Sequence, residues 1–364
     1  MYNMKVLNRN GKNRGESFLP KRRRLIFAAI ALIVAALPLL AACEEGGEPY
    51  QPYEPKDTFL SGITAVSLSG GDSARAKDEI YKFLDDLETE ISAQLDGTNV
   101  DEINRAGAGE KVKAKEHTAA LFNLSRHYHE LTGGAFNPAL LPLSQAWGFG
   151  EGLTGRIPGA EEISVMLGYC DFSLFELEDG YITKSDARAK LDFGAIAKGY
   201  AADKCMEIAG KWGVVRGTID IGGNIYVIGE KENGSAYVAG IRDPRRFENG
   251  HTGYFARIDI KQTSIVTSGD YEQYFVREGV RYCHIIDPAT GAPTRSGLIS
   301  VTLVGQSSAE LDALSTALFV MGMDAAKAFA EANSVSAVLV NESYDYWTNA
   351  AIYAVFSAYS EYGA

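Results

Sequence analysis

TIDIGGNIYVIG at 218–229 reads as strand, and AYVAGI (236–241), YFARIDI (254–260), RYCHII (281–286) and LISVTLV (298–304) continue the pattern. Turn signals separate them, as in KENGSA (231–236) and RDPRRFENG (242–250). Consecutive strands joined by short turns pair antiparallel, because a parallel pair needs a long crossover. Helical patterns stand on either side. Apolar residues recur at three- and four-residue steps over 73–97 (Ile80, Phe83, Leu84, Leu87, Ile91, Leu95). They do so again over 116–131 (Leu121, Leu124, Tyr128, Leu131), where Gly133-Gly134 supplies a stop. A third helix is predicted to start near Ala195, and a fourth holds Leu311, Leu314, Leu318 and Phe319. Helices grouped before and after such strands predict an α+β fold, a largely antiparallel sheet flanked by helices. Residues 58–364 suffice for one large domain or two interlocked ones, and one is expected.

The N-terminus reads as an address. Lys21, Arg22, Arg23 and Arg24 precede an apolar run from Leu25 to Leu40, interrupted by Pro38, and Leu40-Ala41-Ala42-Cys43 follows. This order of basic, apolar and small residues is that of an export signal, placed at 1–42. A plain transmembrane anchor is the alternative, but the run is short of the roughly 20 residues a span needs. Cys after Leu-Ala-Ala resembles a bacterial lipobox. It implies lipidation of Cys43 and a chain anchored by lipid on the extracytoplasmic face of the cell membrane. Residues 44–57, EEGGEPYQPYEPKD, read as a tether.

Residues 1–42 carry eight of the 35 basic side chains and one of the 47 acidic ones, so their removal takes the net charge from −12 to −19. Such acidity argues against a nucleic-acid partner. Three further cysteines, Cys170, Cys205 and Cys283, are too few and too scattered for a disulfide framework; at most one bridge is expected.

Three segments place polar groups among apolar neighbours: LDFGAIAKGYAAD (191–203), HIIDPATGAP (284–293) and AELDALSTALFVMG (309–322). Burying such groups is costly unless something pairs with them. On a helix, Asp312 and Thr316 share a face, so carboxylate and hydroxyl reach one hard cation; Ser315 lies beside them. A solvated surface Asp is the plainer alternative, but the apolar neighbours leave little room for it. Asp192 ends an apparent strand, Gly194 permits close backbone approach, and Lys198 lies at a helix start, where an anion is favoured. A helix-capping Asp with a solvated Lys is the alternative there. Gly222-Gly223 inside a strand pattern marks a bulge or a close backbone contact. His284, before the Asp287-Pro288 turn, is placed like a general base, or else is a satisfied sheet-edge histidine. His127 and His129, two apart on a helix, cannot chelate together.

Taken together these segments resemble the ApbE family of flavin transferases. LTGGAFNPALLPLSQAWGFG (131–150), IDIGGNIYVIGEK (219–231) and TSGDYEQYF (267–275) add to the likeness, which runs from about residue 80 to the C-terminus. The resemblance implies an ApbE-like, T-fold-like architecture and Mg²⁺-dependent transfer of FMN from FAD to a Thr or Ser of an exported acceptor protein, with release of AMP. Asp312, Thr316 and the Ala195 carbonyl would ligate Mg²⁺, with Ser315 where some relatives have a further oxygen. Asp192, Lys198, Gly222 and Gly223 would contact FAD, and Ala135, Phe136 and Asn137 would line the flavin or adenine pocket. His284 and Ile285 would lie by the reacting phosphate, with Thr267, Ser268 and Gly269 nearby. Lys198 and His284 would be catalytic. The acceptor would be a redox-pump subunit or an extracellular flavoprotein. The chain departs from the family pattern at Asn137, where relatives commonly have Asp, and at Ser92-Ala93-Gln94, where many have Ser-Thr-Tyr. FAD hydrolysis to FMN and AMP is an alternative use of the same groups, and a non-catalytic flavin-binding lipoprotein is an alternative of another class.

Overall fold

Gly222 and Gly223 turn the chain back on itself. Ile221 pairs with Asn224 across them, and both glycines have positive φ (60° and 93°), which glycine adopts without steric cost. The pair is thus a two-residue hairpin turn, not a bulge within one strand. The structure is a computed structural model and describes residues 58–150, 153–245, 253–349 and 356–358. The expected signal, Cys43 and the tether lie outside these residues.

In chain order, β1 (Thr58–Phe59) and β2 (Gly62–Ser69) lead into α1 (Ser73–Ile91) and α2 (Asn99–Arg105). Then come β3 (Val112–Lys113), α3 (Glu116–Leu131), α4 (Leu141–Ala146), α5 (Ala160–Leu167), β4 (Phe175–Glu178) and β5 (Tyr181–Lys184). α6 (Ala197–Lys211) precedes β6 (Arg216–Ile221), β7 (Asn224–Ile228), β8 (Tyr237–Arg242), β9 (Tyr254–Ile260) and β10 (Thr263–Gly269). A hairpin, β11 (Tyr274–Arg277) and β12 (Val280–Cys283), is followed by β13 (Ile286–Asp287), β14 (Ala292–Pro293) and β15 (Leu298–Gly305). The described chain ends with α7 (Ser308–Met321), α8 (Met323–Ala332), β16 (Ser336–Asn341), β17 (Tyr346–Thr348) and β18 (Phe356–Ala358).

The main sheet runs β1-β2-β6-β7-β10-β15-β16-β17, and each of its pairs is antiparallel. Alternate side chains point to opposite faces. Val66, Ile219, Ile221, Val266, Val301 and Leu303 pack with the helices. Val227, Ile265, Ile299, Val338 and Val340 pack with a smaller sheet, β18-β9-β8, on the other face. α7 is buried on nearly every side, with Leu311, Ala313, Leu314, Ala317, Leu318 and Phe319 in the core. Each such Leu or Phe contributes about 1.5–3 kcal/mol of transfer energy.

The α+β reading holds, with local differences. The first predicted helix, 73–97, stops at Ile91. Ser92 leaves helical geometry, and Thr98 both donates to the Ser92 carbonyl and caps α2. Leu95 is therefore exposed, not part of the apolar stripe. RYCHII is not one strand: it breaks at His284, whose N–H donates to Gln273 O. Cys170, Cys205 and Cys283 are buried free thiols.

Candidate active site

Leu191 and Phe193 are buried in the core on either side of Asp192. Asp192 donates its backbone N–H to Pro138 O at 2.8 Å, and its Oδ1 accepts the Gly194 N–H at 2.8 Å. Burial pushes the Asp192 carboxyl up from its ordinary pKa; the Gly194 N–H and the Lys198 charge oppose this. Ala195 lies half-buried in the turn that follows, and α6 begins at Ala197. Lys198, in the first turn of α6, donates from Nζ to Gly194 O at 2.8 Å and lies 4.0 Å from Asp312 Oδ1. Its methylenes pass close to the hairpin turn: a Cβ on Gly222 would come within 3.1 Å of Lys198 Cδ.

The register of α6 against α7 is set by two contacts. Gly199 donates its N–H to Asp312 Oδ2 at 2.9 Å. One turn later the Asp203 carboxylate accepts the N–H groups of Ser308 (2.7 Å) and Ala309 (3.0 Å) and the Ser307 hydroxyl (3.1 Å). A carboxylate at a helix N-terminus satisfies free N–H groups and complements the helix dipole. The approach is close enough to exclude a side chain, since a Cβ on Gly199 would fall 2.1 Å from Ser308 O and 2.8 Å from Ala309 Cα. Gly199→Ala is therefore expected to destabilise the fold by about 1–3 kcal/mol, the usual range for overpacking. Denaturant unfolding of the two proteins measures this; equal midpoints would show that the helices separate freely.

Asp312 is only 4% exposed. Oδ1 has no hydrogen-bond partner among the described residues and faces the Lys198 ammonium at 4.0 Å. Thr316, one turn on, has its Oγ1 3.3 Å from Asp312 O and 3.5 Å from Ser268 Oγ. Ser315 is wholly buried, donating to Asp312 O at 3.0 Å and lying 2.8 Å from Ser268 Oγ. Ser268 thus joins the α7 groups. Its neighbour Thr267 points to the opposite face, where its hydroxyl pairs with Thr302 at 2.8 Å. Gly269 lies under the Tyr271 ring, which a Cβ there would meet at 2.3 Å.

His284 follows β12. Its backbone N–H and its Nδ1 both approach Gln273 O, at 2.9 and 3.2 Å. A carbonyl only accepts, so Nδ1 carries the proton and Nε2 is left with a free lone pair. Loss of hydration pulls the His284 pKa down to about 4; the Gln273 carbonyl opposes and the Lys198 charge adds to the fall. Ile285 is buried, and its carbonyl accepts the Thr294 N–H at 2.9 Å.

The 135–137 loop abuts Asp192 through Pro138. Phe136 is 1% exposed and its ring belongs to the core; its carbonyl accepts from His129 Nδ1 at 2.8 Å. Asn137 uses its amide on backbone, donating to Cys170 O (3.0 Å) and accepting from Ala139 N–H (2.8 Å). Ala135 is half-buried against the same core.

Among the described residues no three His, Cys, Asp or Glu side chains cluster as a metal site. A cation at Asp312 would rely on one carboxylate plus hydroxyl and carbonyl oxygens, an all-oxygen set that suits Mg²⁺ better than a softer metal. The buried, incompletely satisfied Asp312 Oδ1 fits such an ion, because a buried charge without full pairing is costly. Lys198 is the hub. It bonds Gly194 O, leaves little room for a side chain at Gly222, stands beside Asp312, and its charge bears on the Asp192 carboxyl and the His284 imidazole.

Sequence reasoning missed Gly199, Asp203 and Gln273. Asp203 had a readable signal, because Ser307 and Glu310 form a capping pattern that marks the start of α7. Gln273 had none, since its role is carried by its backbone carbonyl.

The ApbE family profile matches residues 60–339. A Treponema pallidum protein named FAD:protein FMN transferase is 33% identical over 264 residues, covering 68% of this chain and 72% of that protein. The Vibrio cholerae protein of the same name is 28% identical over 314 residues, covering 86% and 93%. Among solved structures, the ApbE protein of Thermotoga maritima superposes with a TM-score of 0.75 at 32% identity, covering 83% of this chain and 98% of that one. The flavin transferase ApbE of Vibrio cholerae gives 0.73 at 25% identity, covering 82% and 96%. With the matched span running from β2 to β16 and including every polar group gathered around Lys198, the chain belongs to the ApbE family.

Proposed function

We propose that this protein is a Mg²⁺-dependent FAD:protein FMN transferase that esterifies a Thr or Ser of an exported acceptor protein and releases AMP. The observation that carries the reading is the buried Asp312 carboxylate 4.0 Å from the Lys198 ammonium, with the Thr316 hydroxyl one turn on and Gly194 O on the same ammonium. A cationic side chain beside a carboxylate that can hold a metal ion is a recurring arrangement in phosphoryl transfer, and a neutral imidazole can serve as its base.

Asp312, Thr316 and the Ala195 carbonyl would hold the Mg²⁺, with Ser315 bracing Ser268 behind them. Bound there, the ion supplies charge neutralisation on the pyrophosphate oxygens. Lys198 adds a second positive charge on the same side. The free lone pair of His284 Nε2 takes the acceptor hydroxyl proton. The hydroxyl oxygen then bonds to the FMN-side phosphorus, the P–O bond to the AMP phosphate breaks, and AMP leaves with the bond's electron pair. Gly222, lacking a side chain, lets the phosphates approach the Lys198 chain. The export signal and Cys43 expected from the sequence support a reaction outside the cytoplasm, on a lipid anchor.

Mass spectrometry of candidate acceptor proteins, mixed with the chain, FAD and Mg²⁺, tests the reading. The expected product is an acceptor Thr or Ser carrying one FMN less water, with AMP in equal amount. AMP and FMN released at one rate with and without acceptor would replace it by FAD hydrolysis. Bound FAD that stays intact would leave a flavin-binding protein.

A further inference from the structure

Two buried polar side chains, Asn104 and Lys184, take no part in the chemistry above. Asn104 is 8% exposed and Lys184 only 2%. We infer that they form a clamp that positions Asp192 and the Ala195 carbonyl for the flavin nucleotide. The inference rests on the transferase reading.

The segment from Ala189 to Phe193 belongs to no strand or helix, yet Ala189, Leu191 and Phe193 are all at most 1% exposed. Buried backbone groups need hydrogen-bond partners, and no neighbouring strand supplies them here. Asn104 does. Its Oδ1 accepts the Leu191 N–H at 2.7 Å, and its Nδ2 donates to Leu191 O at 2.9 Å. The primary amide thus replaces a partner strand at one residue, the residue before Asp192. Lys184 completes the arrangement by donating from Nζ to Ala189 O at 2.9 Å and to Asn104 O at 2.8 Å. One ammonium therefore ties the end of α2 to the start of the segment that carries the site.

Packing alone does not explain Lys184. A methionine would fill similar volume without burying a charge, and no carboxylate lies within ion-pairing distance among the described residues. Burying an unpaired ammonium costs several kcal/mol before its hydrogen bonds are counted. That cost is consistent with a pKa lowered to about 8 by loss of hydration. The compensation is geometric. Leu191 is fixed on both its N–H and its C=O, and Asp192 next to it binds Pro138 O. The clamp therefore sets both the 132–140 loop and the turn into α6.

Asn104→Ala and Lys184→Met in the full chain test this, through amide hydrogen exchange of the free protein and FAD titration by flavin fluorescence at saturating Mg²⁺. Exchange over 189–196 is expected to quicken at least about tenfold while α7 stays as slow as in the parent. FAD affinity is expected to fall about tenfold, the about 1.4 kcal/mol that one well-made hydrogen bond to a ligand is worth. Unchanged exchange at 189–196 would overturn the clamp. So would faster exchange with parental FAD affinity, or a uniform quickening of all elements, which marks a purely structural role. Should Asn104→Ala not fold, Asn104→Asp keeps an acceptor for the Leu191 N–H and sets a carboxylate oxygen against Leu191 O in place of the donor; the same outcomes apply. A parent chain that binds no FAD would overturn the transferase reading instead, and the exchange pattern would still judge the clamp.

Discussion

Asp312→Asn is expected to lower FMN transfer by about three orders of magnitude, the several kcal/mol that a bound cation contributes to phosphoryl transfer, while leaving the fold intact. The asparagine keeps an oxygen for the Gly199 N–H, so the α6–α7 contact survives. What it loses is the charge. Asp312 is 4% exposed, and beyond Lys198 at 4.0 Å it has no ion-pair partner among the described residues. Removing one charge of a pair costs stability when the other is left buried and alone, but Lys198 is about a quarter exposed and keeps its bond to Gly194 O, so that cost is small here. Activity and stability should therefore move apart. Thermal unfolding of the parent should shift upward with added Mg²⁺, because a ligand that binds only the folded state stabilises it. The shift should vanish in Asp312→Asn, whose midpoint without metal should stay near the parent's. Retained transfer, or a retained Mg²⁺ shift, would place the cation elsewhere.

The sequence was most legible where one local pattern suffices. The strands from 218 to 304 announce themselves by turn signals, and α7 is surrounded by enough apolar residues to show that Asp312 is not a surface group. Gly222-Gly223 was visible as an anomaly, but its type was not. Bulge and hairpin turn both call for glycine, and only the pairing of Ile221 with Asn224 separates them. β2 (Gly62–Ser69) and β16 (Ser336–Asn341) were not picked out, although they pair with β6 and β15; their partners lie far away in sequence, and no turn links them. Thr267 and Ser268 illustrate a different limit. Adjacent residues on a strand face opposite ways, so a motif that includes both puts only one beside α7. The backbone contributions, Gln273 O at His284 and Gly194 O at Lys198, leave no trace in side-chain identity.

His284→Ala is expected to lower turnover by about 10²–10⁴, the usual contribution of a general base, while FAD affinity stays within a few-fold of the parent. The geometry sets this split. His284 Nδ1 is engaged by Gln273 O, so only Nε2 is free, and a single free lone pair serves proton transfer better than ligand binding. The pH profile carries a second signature. With its pKa pulled to about 4 in the free protein, His284 is neutral near pH 7, and the acid limb of kcat/KM that belongs to this group should fall near pH 4 instead of 6.5. Stability shows the same shift. Between about pH 4 and 6.5 the unfolded chain binds the imidazole proton and the folded chain does not, so stability rises with pH over that interval. The contribution is fully present above the unfolded pKa and lost as pH falls toward the folded one. His284→Ala removes that share, so the difference between parent and variant stability should change across pH 4–6.5 and be constant above it. Stopped-flow turnover, flavin fluorescence titration and denaturant unfolding across this range measure the three effects. Equal losses of turnover and affinity would make His284 a binding residue. An acid limb at pH 6.5 would mean that water reaches the imidazole freely, and the lowered pKa would have to be abandoned.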